Sequence, residues 1–302
     1  MKQEYPLTEI DSIKTYNEIM GLKTKHPLVA VVNLQDAGRM IDKARWNYGL
    51  YALWIKHGIG CAIHYGRQNY DYQEGTVVSF APGQVVQIDL LDPEAARKTQ
   101  GLLFHPDLIY GTPLGEKIKK YSFFSYGQRE ALHLSDNEQK VLQNCLANIK
   151  LEMQNPVDQH SRGLLCDHIE LFLDYCMRFY DRQFYTRAKV NGDVLEQFES
   201  EIESYLDQPD ISLKGLPSVK YFADKACLTP GYFGDLIKRE TGKTAQEYIQ
   251  LKLIDRAKQL LHGTSLTVNQ VADALGFQYP QHFVRMFKKQ TGQTPGQFRL
   301  QA

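Results

Sequence analysis

The sequence predicts an α+β protein, with a β-rich front half closed by two long helices and an all-α rear. Three observations carry this. Short apolar runs broken by Gly-containing turns fill residues 28–104. From Ser135 onward the apolar spacing changes to a helical period. Near its end the chain repeats itself, FGDLIKRETGKT at 233–244 returning as FVRMFKKQTGQT at 283–294. A chain of 302 residues, 43% of them apolar, has the material for two cores.

The apolar runs are LVAVVNL, YGLYALWI, GCAIHY, TVVSFA, VVQIDL and TQGLLFH, parted by the turn signals KHGIG, RQNYDYQEG and APGQ. With no helical crossover between them they suit a barrel or sandwich rather than a parallel sheet. Residues 105–133 are mixed, and YGTPLG reads as a loop. Ser135-Asp136-Asn137-Glu138 has the form of a capping box. Behind it Val141, Cys145, Ile149 and Met153 recur every fourth residue until Asn155-Pro156. A second helix over about 160–185 carries Leu164, Leu165, His168, Ile169, Phe172, Leu173, Cys176, Phe179 and Tyr180. That stripe is wider than one partner needs. Two readings stay open, a hairpin that also dimerises and one that packs only within its own chain.

Asn191-Gly192-Asp193 reads as a linker, which divides the chain into a front domain over 1–190 and a rear domain over 191–302. An acidic amphipathic helix follows, with Leu195, Phe198, Ile202 and Leu206 on one face, and Gln208-Pro209-Asp210 ends it. Then come two helix-turn-helix patterns, at about 218–241 and 267–291. Ala223-Asp224 matches Ala272-Asp273 at an offset of 49, and Phe233, Lys238, Thr241, Gly242 and Thr244 match Phe283, Lys288, Thr291, Gly292 and Thr294 at 50. The extra residue falls in the turn, where two separate helices tolerate it. In the first copy Ala223 sits on the close-packed face, Thr229 is an N-cap before Pro230, and Gly242 is a left-handed stop. Between the copies, 245–262 reads as one helix with Tyr248, Leu251, Ile254, Ala257 and Leu261 inward. Its length is roughly 27 Å, near the ~34 Å that separates successive major-groove faces. Both copies run the same way, so they suit an asymmetric site on double-stranded DNA.

Charge agrees. Residues 211–302 hold 13 Lys and Arg against 6 Asp and Glu, a surplus of 7, and residues 1–210 hold 22 against 29, a deficit of 7. A basic rear on an acidic front is the asymmetry of a chain with one polyanion-binding part.

The rear segment, with ALGFQYPQHFVRMFKKQTGQTPGQFR at its end and IQLKLIDRAKQLL between the copies, closely resembles the AraC/XylS family of bacterial transcription regulators. Gly276, Phe277, Phe283, Arg285, Phe287, Lys288, Gly292, Pro295, Phe298 and Arg299 meet the pattern of the family's ending. The resemblance covers about 191–302. It implies a promoter site spanning two successive major grooves, RNA polymerase as a partner and activation as the sense of regulation. By layout the front half resembles the family's cupin-like β-barrel with a helical hairpin, which implies an effector site and a homodimer.

Helix geometry aims the first turns of each recognition helix at the groove. The candidate DNA-binding residues of the first copy are Thr229, Gly231, Tyr232, Gly234, Asp235, Lys238 and Arg239. In the second copy they are Gln278, Tyr279, Gln281, His282, Arg285, Lys288 and Lys289. Gln can read adenine and Arg guanine, whereas Asp235 meets phosphate repulsion unless it accepts from a cytosine amino group. The second copy is therefore expected to read more bases. Arg285 has two alternatives, a phosphate contact or a pair with Asp273, and Lys288 and Lys289 suit phosphate or solvent.

Candidate effector-lining residues are Trp46, Tyr48, Trp54, His64, Tyr65 and Phe80, each of which could equally fill the core. His57 and His64 stand seven apart and APGQVVQ holds no His, so the metal-site spacing of catalytic cupins is missing. Five cysteines lack paired or zinc spacing, and Cys166 and Cys176, in a helical pattern among Leu and Phe, read as buried thiols. No metal, cofactor or catalytic residue is expected. The alternatives are a cupin-type enzyme with a DNA-targeting tail, and a regulator whose β domain only dimerises. With neither an apolar leader nor a run near the ~20 residues of a membrane span, the cytoplasm is the expected location.

Overall fold

The computed structural model describes residues 6–56, 75–90, 92–127, 130–208 and 210–300. They form two compact units, Met1–Arg187 and Ala188–Ala302.

In the first unit, strands β1 (Leu7–Ile10), β2 (Val29–Asn33), β3 (Lys43–Tyr48), β4 (Tyr51–Lys56), β5 (Gly75–Phe80), β6 (Gln84–Asp89), β7 (Gln100–Phe104) and β8 (Leu132–Leu134) make two sheets. Their orders are β1-β3-β6 and β2-β7-β4-β5-β8. Among the described residues all pairings are antiparallel except β1 on β3. The expected run YGLYALWI is two strands, not one. It breaks at Gly49, whose N–H donates to the Ile10 carbonyl at 2.8 Å and where a Cβ would stand 3.2 Å from the Asp11 Cα. The chain changes sheets at this corner. GCAIHY lies outside the described residues.

The sheets share a core. β3 alternates, with Ala44, Trp46 and Tyr48 inward. Ala52 and Trp54 of β4, Val78 of β5 and Leu103 of β7 join them, with Tyr16 of helix α1 (Ile13–Met20). Trp54 fits because its cross-strand neighbour is Gly101, where a Cβ would come within 2.3 Å of the indole. The opposite face of the five-stranded sheet, with Leu53, Ile55, Val77 and Leu102, is equally buried. Sandwiched between two layers, β4 shows four buried residues in a row instead of an alternation.

Short helices α2 (Pro93–Arg97), α3 (Pro106–Ile109) and α4 (Pro113–Lys117) each begin on a proline behind a capping side chain. YGTPLG, expected as a loop, is therefore partly helical, because Thr112 accepts from the Gly115 N–H and starts α4. Helix α5 (Asp136–Glu152) opens with the expected capping box and packs on β2. Helix α6 (Ser161–Thr186) packs on α5 and β8. Arg182 fastens the hairpin at 2.7 Å from Glu138 and 2.6 Å from the His133 carbonyl. Most of the predicted α6 stripe is buried, but Leu164 and Leu171 stay 44% and 45% exposed. With half-buried His168 and Tyr175 they form an apolar seam at helical spacing.

The second unit is all helical: α7 (Ala188–Leu206), α8 (Ile211–Lys214), α9 (Val219–Lys225), α10 (Pro230–Thr241), α11 (Ala245–Gly263), α12 (Val268–Ala274), α13 (Pro280–Thr291) and α14 (Pro295–Leu300). Here two expectations are corrected. Asn191-Gly192-Asp193 is not a linker but part of α7, with Asn191 only 2% exposed, and the units divide at 187/188 rather than 190/191. A helical glycine costs about 1 kcal/mol, which the burial of Phe198, Ile202 and Tyr205 on the same helix outweighs.

Candidate nucleic-acid interface

Each recognition helix starts on a proline and ends on a glycine, but only the first has a side-chain cap. Thr229 accepts from the Tyr232 N–H and starts α10 at Pro230. Pro280 starts α13, whose N-cap Tyr279 makes no capping hydrogen bond. Gly242 and Gly292 end them at φ 72° and 80°. The conserved spacing between the copies is explained at the C-terminal ends. Thr241 Oγ1 donates to the Ile237 carbonyl at 2.7 Å, and Thr291 Oγ1 to the Phe287 carbonyl at 2.8 Å. Thr244 and Thr294 then accept from the N–H three residues on and open α11 and α14. The Thr-Gly-x-Thr of the repeat is thus a stop followed by a start. Sequence reasoning matched these threonines across the repeat but gave the stop to the glycine alone.

The first helix of each copy supports the second. Ala223 and Ala272 are 0% exposed, so α9 and α12 lie close against α10 and α13. Phe198 of α7 meets Phe222 and Phe233 edge-on at 5.1 and 5.0 Å, and Phe283 meets Phe287 at 5.7 Å. Between the copies α11 buries Ala245, Ile249, Leu253, Ala257 and Leu261, every fourth residue, plus Ile254. The expected inward stripe is thus turned slightly, leaving Tyr248 and Leu251 half-buried. The reason is that α7, α10, α12, α13 and α14 contact α11 from several sides.

The two outer faces differ. On α13, Phe283 and Phe287 point inward, and Gln281, His282, Arg285, Lys288 and Lys289 are exposed, as are Gln278 and Tyr279 just before the helix. Tyr279, 50% exposed, meets the His282 ring edge-on at 5.5 Å. Arg285 and Asp273 are both exposed and form no ion pair among the described residues, which leaves the arginine turned outward. On α10 the matching positions are Gly231, Gly234 and half-buried Asp235, followed by exposed Lys238 and Arg239. A Cβ on Gly234 would meet nothing within 4 Å.

Tyr232, a candidate DNA contact, is 3% exposed, and that assignment is corrected. α10 buries four side chains, Tyr232, Phe233, Leu236 and Ile237, against α7, α9 and α11. The wider arc takes in position 232, which the matching His282 leaves exposed.

Charge is sorted by α7. Its Glu199 and Glu201, and Asp207 just past its end, lie 3.6, 3.8 and 2.6 Å from Lys252, Lys225 and Arg256. Burial, followed by the hydrogen bond to Glu199, pushes the Tyr248 hydroxyl up to about 12. It therefore donates to Glu199 at any ordinary pH. Over 188–302 the chain holds 14 Lys and Arg against 13 Asp and Glu, so the positive surplus of the rear segment is local. Exposed Lys238, Arg239, Arg285, Lys288 and Lys289 carry part of it, and Lys220 and Lys243 are exposed too.

In the first unit Trp46, Tyr48, Trp54 and Phe80 do come together. Tyr16 lies 5.9 Å from both indoles, and Tyr48 stacks on Phe80 at 5.8 Å. Trp46, Tyr48 and Trp54 are 4%, 2% and 7% exposed and fill the core between the sheets. His57, His64 and Tyr65 lie outside the described residues. Among the described residues no group of three His, Cys, Asp or Glu could hold a metal ion, and no helix is long and apolar enough to cross a membrane.

A helix-turn-helix domain model matches residues 222–301. The solved C-terminal domain of the response regulator yesN from Fusobacterium nucleatum is 30% identical, covering 35% of this chain and 98% of that one, at a TM-score of 0.31. The transcriptional regulatory protein YesN of Bacillus subtilis is 31% identical over 130 residues, 41% of this chain and 34% of its own length. Five such relatives from B. subtilis and Escherichia coli, YesN among them, are spanned over 13–62% of their length. The Tn10 TetD protein of E. coli is 32% identical over 144 residues, 47% of this chain and 91% of TetD. On the duplicated helix-turn-helix, its linking helix and this similarity to regulators, the chain belongs to the AraC/XylS family of bacterial transcriptional regulators.

Proposed function

We propose that the chain is a cytoplasmic, sequence-specific DNA-binding regulator that activates transcription together with RNA polymerase. The observation that carries this is the pair of proline-started, glycine-stopped helices on one linking helix, with Gln281, His282, Arg285 and Lys288 exposed on the second and Gln278 exposed just before it. Gln281 and Arg285 suit adenine and guanine edges, and Lys288 and Lys289 suit phosphate. The bare face of Gly231 and Gly234 suits close approach to a backbone, with Lys238 and Arg239 as its clamp. The first unit is assigned dimerisation through the α6 seam and response to a small effector.

Selection of random duplex DNA by the full chain tests this. The expected product is one asymmetric consensus with two halves about 10–10.5 bp apart, bound with a steep loss of affinity as salt rises. Enrichment of no sequence would sink the assignment. For the effector, a thermal-shift screen applies, since a ligand at ~100 Kd stabilises by roughly 2.7 kcal/mol.

A further inference from the structure

The segment between α7 and α9 lies outside the repeat, yet it touches both copies. Tyr205, near the end of α7, meets Tyr221 and Phe222 of α9 edge-on at 5.1 and 6.3 Å, so it belongs to the packing of the first copy. Its hydroxyl donates to the Gly215 carbonyl at 3.0 Å. That same oxygen presses on the turn of the second copy. A Cβ on Gly276 would stand 2.8 Å from it, and 3.2 Å from the Ile211 carbonyl oxygen. Both glycines hold backbone that side chains avoid, Gly215 at φ 80°, ψ −168° and Gly276 at φ 82°. α8 packs on α12 with Ile211 4% exposed, and Lys214 steadies the segment through Asp210 at 2.9 Å and Gln208 at 2.8 Å. At the matching place in the first copy stands Cys227, which is exposed.

We propose that the Gly215–Gly276 contact is a second brace between the two copies. In this arrangement Tyr205 is a positioning residue that fixes the half-site spacing the chain accepts on DNA. The proposal rests on the DNA-binding function above. A single helix restrains the distance between the bodies at its ends, but a rotation about its axis is opposed only by side-chain packing. A second contact off that axis opposes the rotation directly. The phase matters because one base pair turns the groove by about 34°.

The test uses full-length parent, Tyr205→Phe and Gly276→Ala, with the duplex selected by the parent and with versions that gain or lose one base pair between the halves. The parent is expected to lose about tenfold or more on either change, the scale of a mismatched site. Tyr205→Phe keeps its ring and is expected to bind the unaltered site within about threefold of the parent. Its spacing penalty should fall below about threefold, against the tenfold that corresponds to 1.4 kcal/mol. An undiminished penalty in Tyr205→Phe overturns the proposal, whether or not Gly276→Ala folds. Hydrogen exchange on the DNA-free chains reads the brace separately. The Gly276 and Phe277 amides, bonded to the Asp273 and Ala272 carbonyls at 2.9 Å each, should exchange faster in Tyr205→Phe, while Gly292 stays unchanged. Unchanged exchange at Gly276 and Phe277 also overturns the brace, whereas a parent that enriches no DNA overturns the DNA-binding function instead.

Discussion

At the turn between α9 and α10, Cys227 holds φ 57°, the one non-glycine residue with positive φ among the described residues. The second copy has Gly276 in that place. Left-handed backbone costs an ordinary residue about 1–2 kcal/mol, while a glycine gives back roughly 0.5–1 kcal/mol through the unfolded chain. Cys227→Gly is therefore expected to stabilise the chain by about 0.5–1 kcal/mol, read as a higher urea midpoint at constant m. A lower midpoint would show that the thiol supplies packing worth more than the strain. The other informative pair is Asp235 and Arg285, matched across the repeat. Arg285→Ala should relax one or two base positions at a cost of about 1–3 kcal/mol, and Lys288→Ala should weaken all sequences alike and lower the salt slope by about 1. Asp235→Ala should relax at most a single cytosine. If Asp235→Ala relaxes several positions and Arg285→Ala none, the roles of the two helices are reversed.

Among the elements, α11 depends on its first turn. Thr244 and Glu247 form a capping box, and Glu247 accepts from the Thr244 backbone and hydroxyl, both at 2.9 Å. The Thr244 backbone hydrogen bond, followed by the hydroxyl, lowers the Glu247 carboxyl below its usual range. A depressed carboxylate contributes stability that is present above its unfolded pKa and lost as pH falls through its folded one. Stability should therefore decline on acidification below the ordinary carboxylate range. Glu247→Gln should flatten that limb, because an amide still accepts, as Gln297 does from Thr294 at the start of α14. Urea midpoints of both proteins between pH 3 and 7 measure it. Equal acid limbs would place the titration elsewhere.

For the whole molecule the prediction concerns association. Leu164 and Leu171 are exposed on α6 at a spacing of two turns, and Leu171→Asp should shift the proposed dimer toward monomer while melting stays within about 0.5 kcal/mol, as for a surface change. Sedimentation at micromolar concentration reads both. A parent that is already monomeric sinks the dimer. Charge belongs to this scale too. Residues 188–302 are close to neutral, and the acidic residues around α7 pair with Lys225, Lys252 and Arg256 rather than with the exposed cations of α10 and α13, so overall net charge is a poor guide to the interface.

By itself the sequence determined what short-range physics can specify. Ser135 and Thr229 as caps and Gly242 and Gly292 as stops each act within a few residues, and each stands in the structure where its pattern placed it. The duplication was enough to point to paired recognition helices and to the family. What the tertiary structure alone decided was burial. Tyr232 and His282 occupy equivalent positions, but only α10 buries four side chains against its neighbours, so one ring is inside and the other outside. Gly192 reads as a break and is helical, because burial of α7 outweighs the cost of one glycine. The strands around Gly49 and Gly101 follow the same rule. A glycine's purpose there is the Asp11 backbone or the Trp54 ring that comes close to it, and no local pattern records a neighbour tens of residues away.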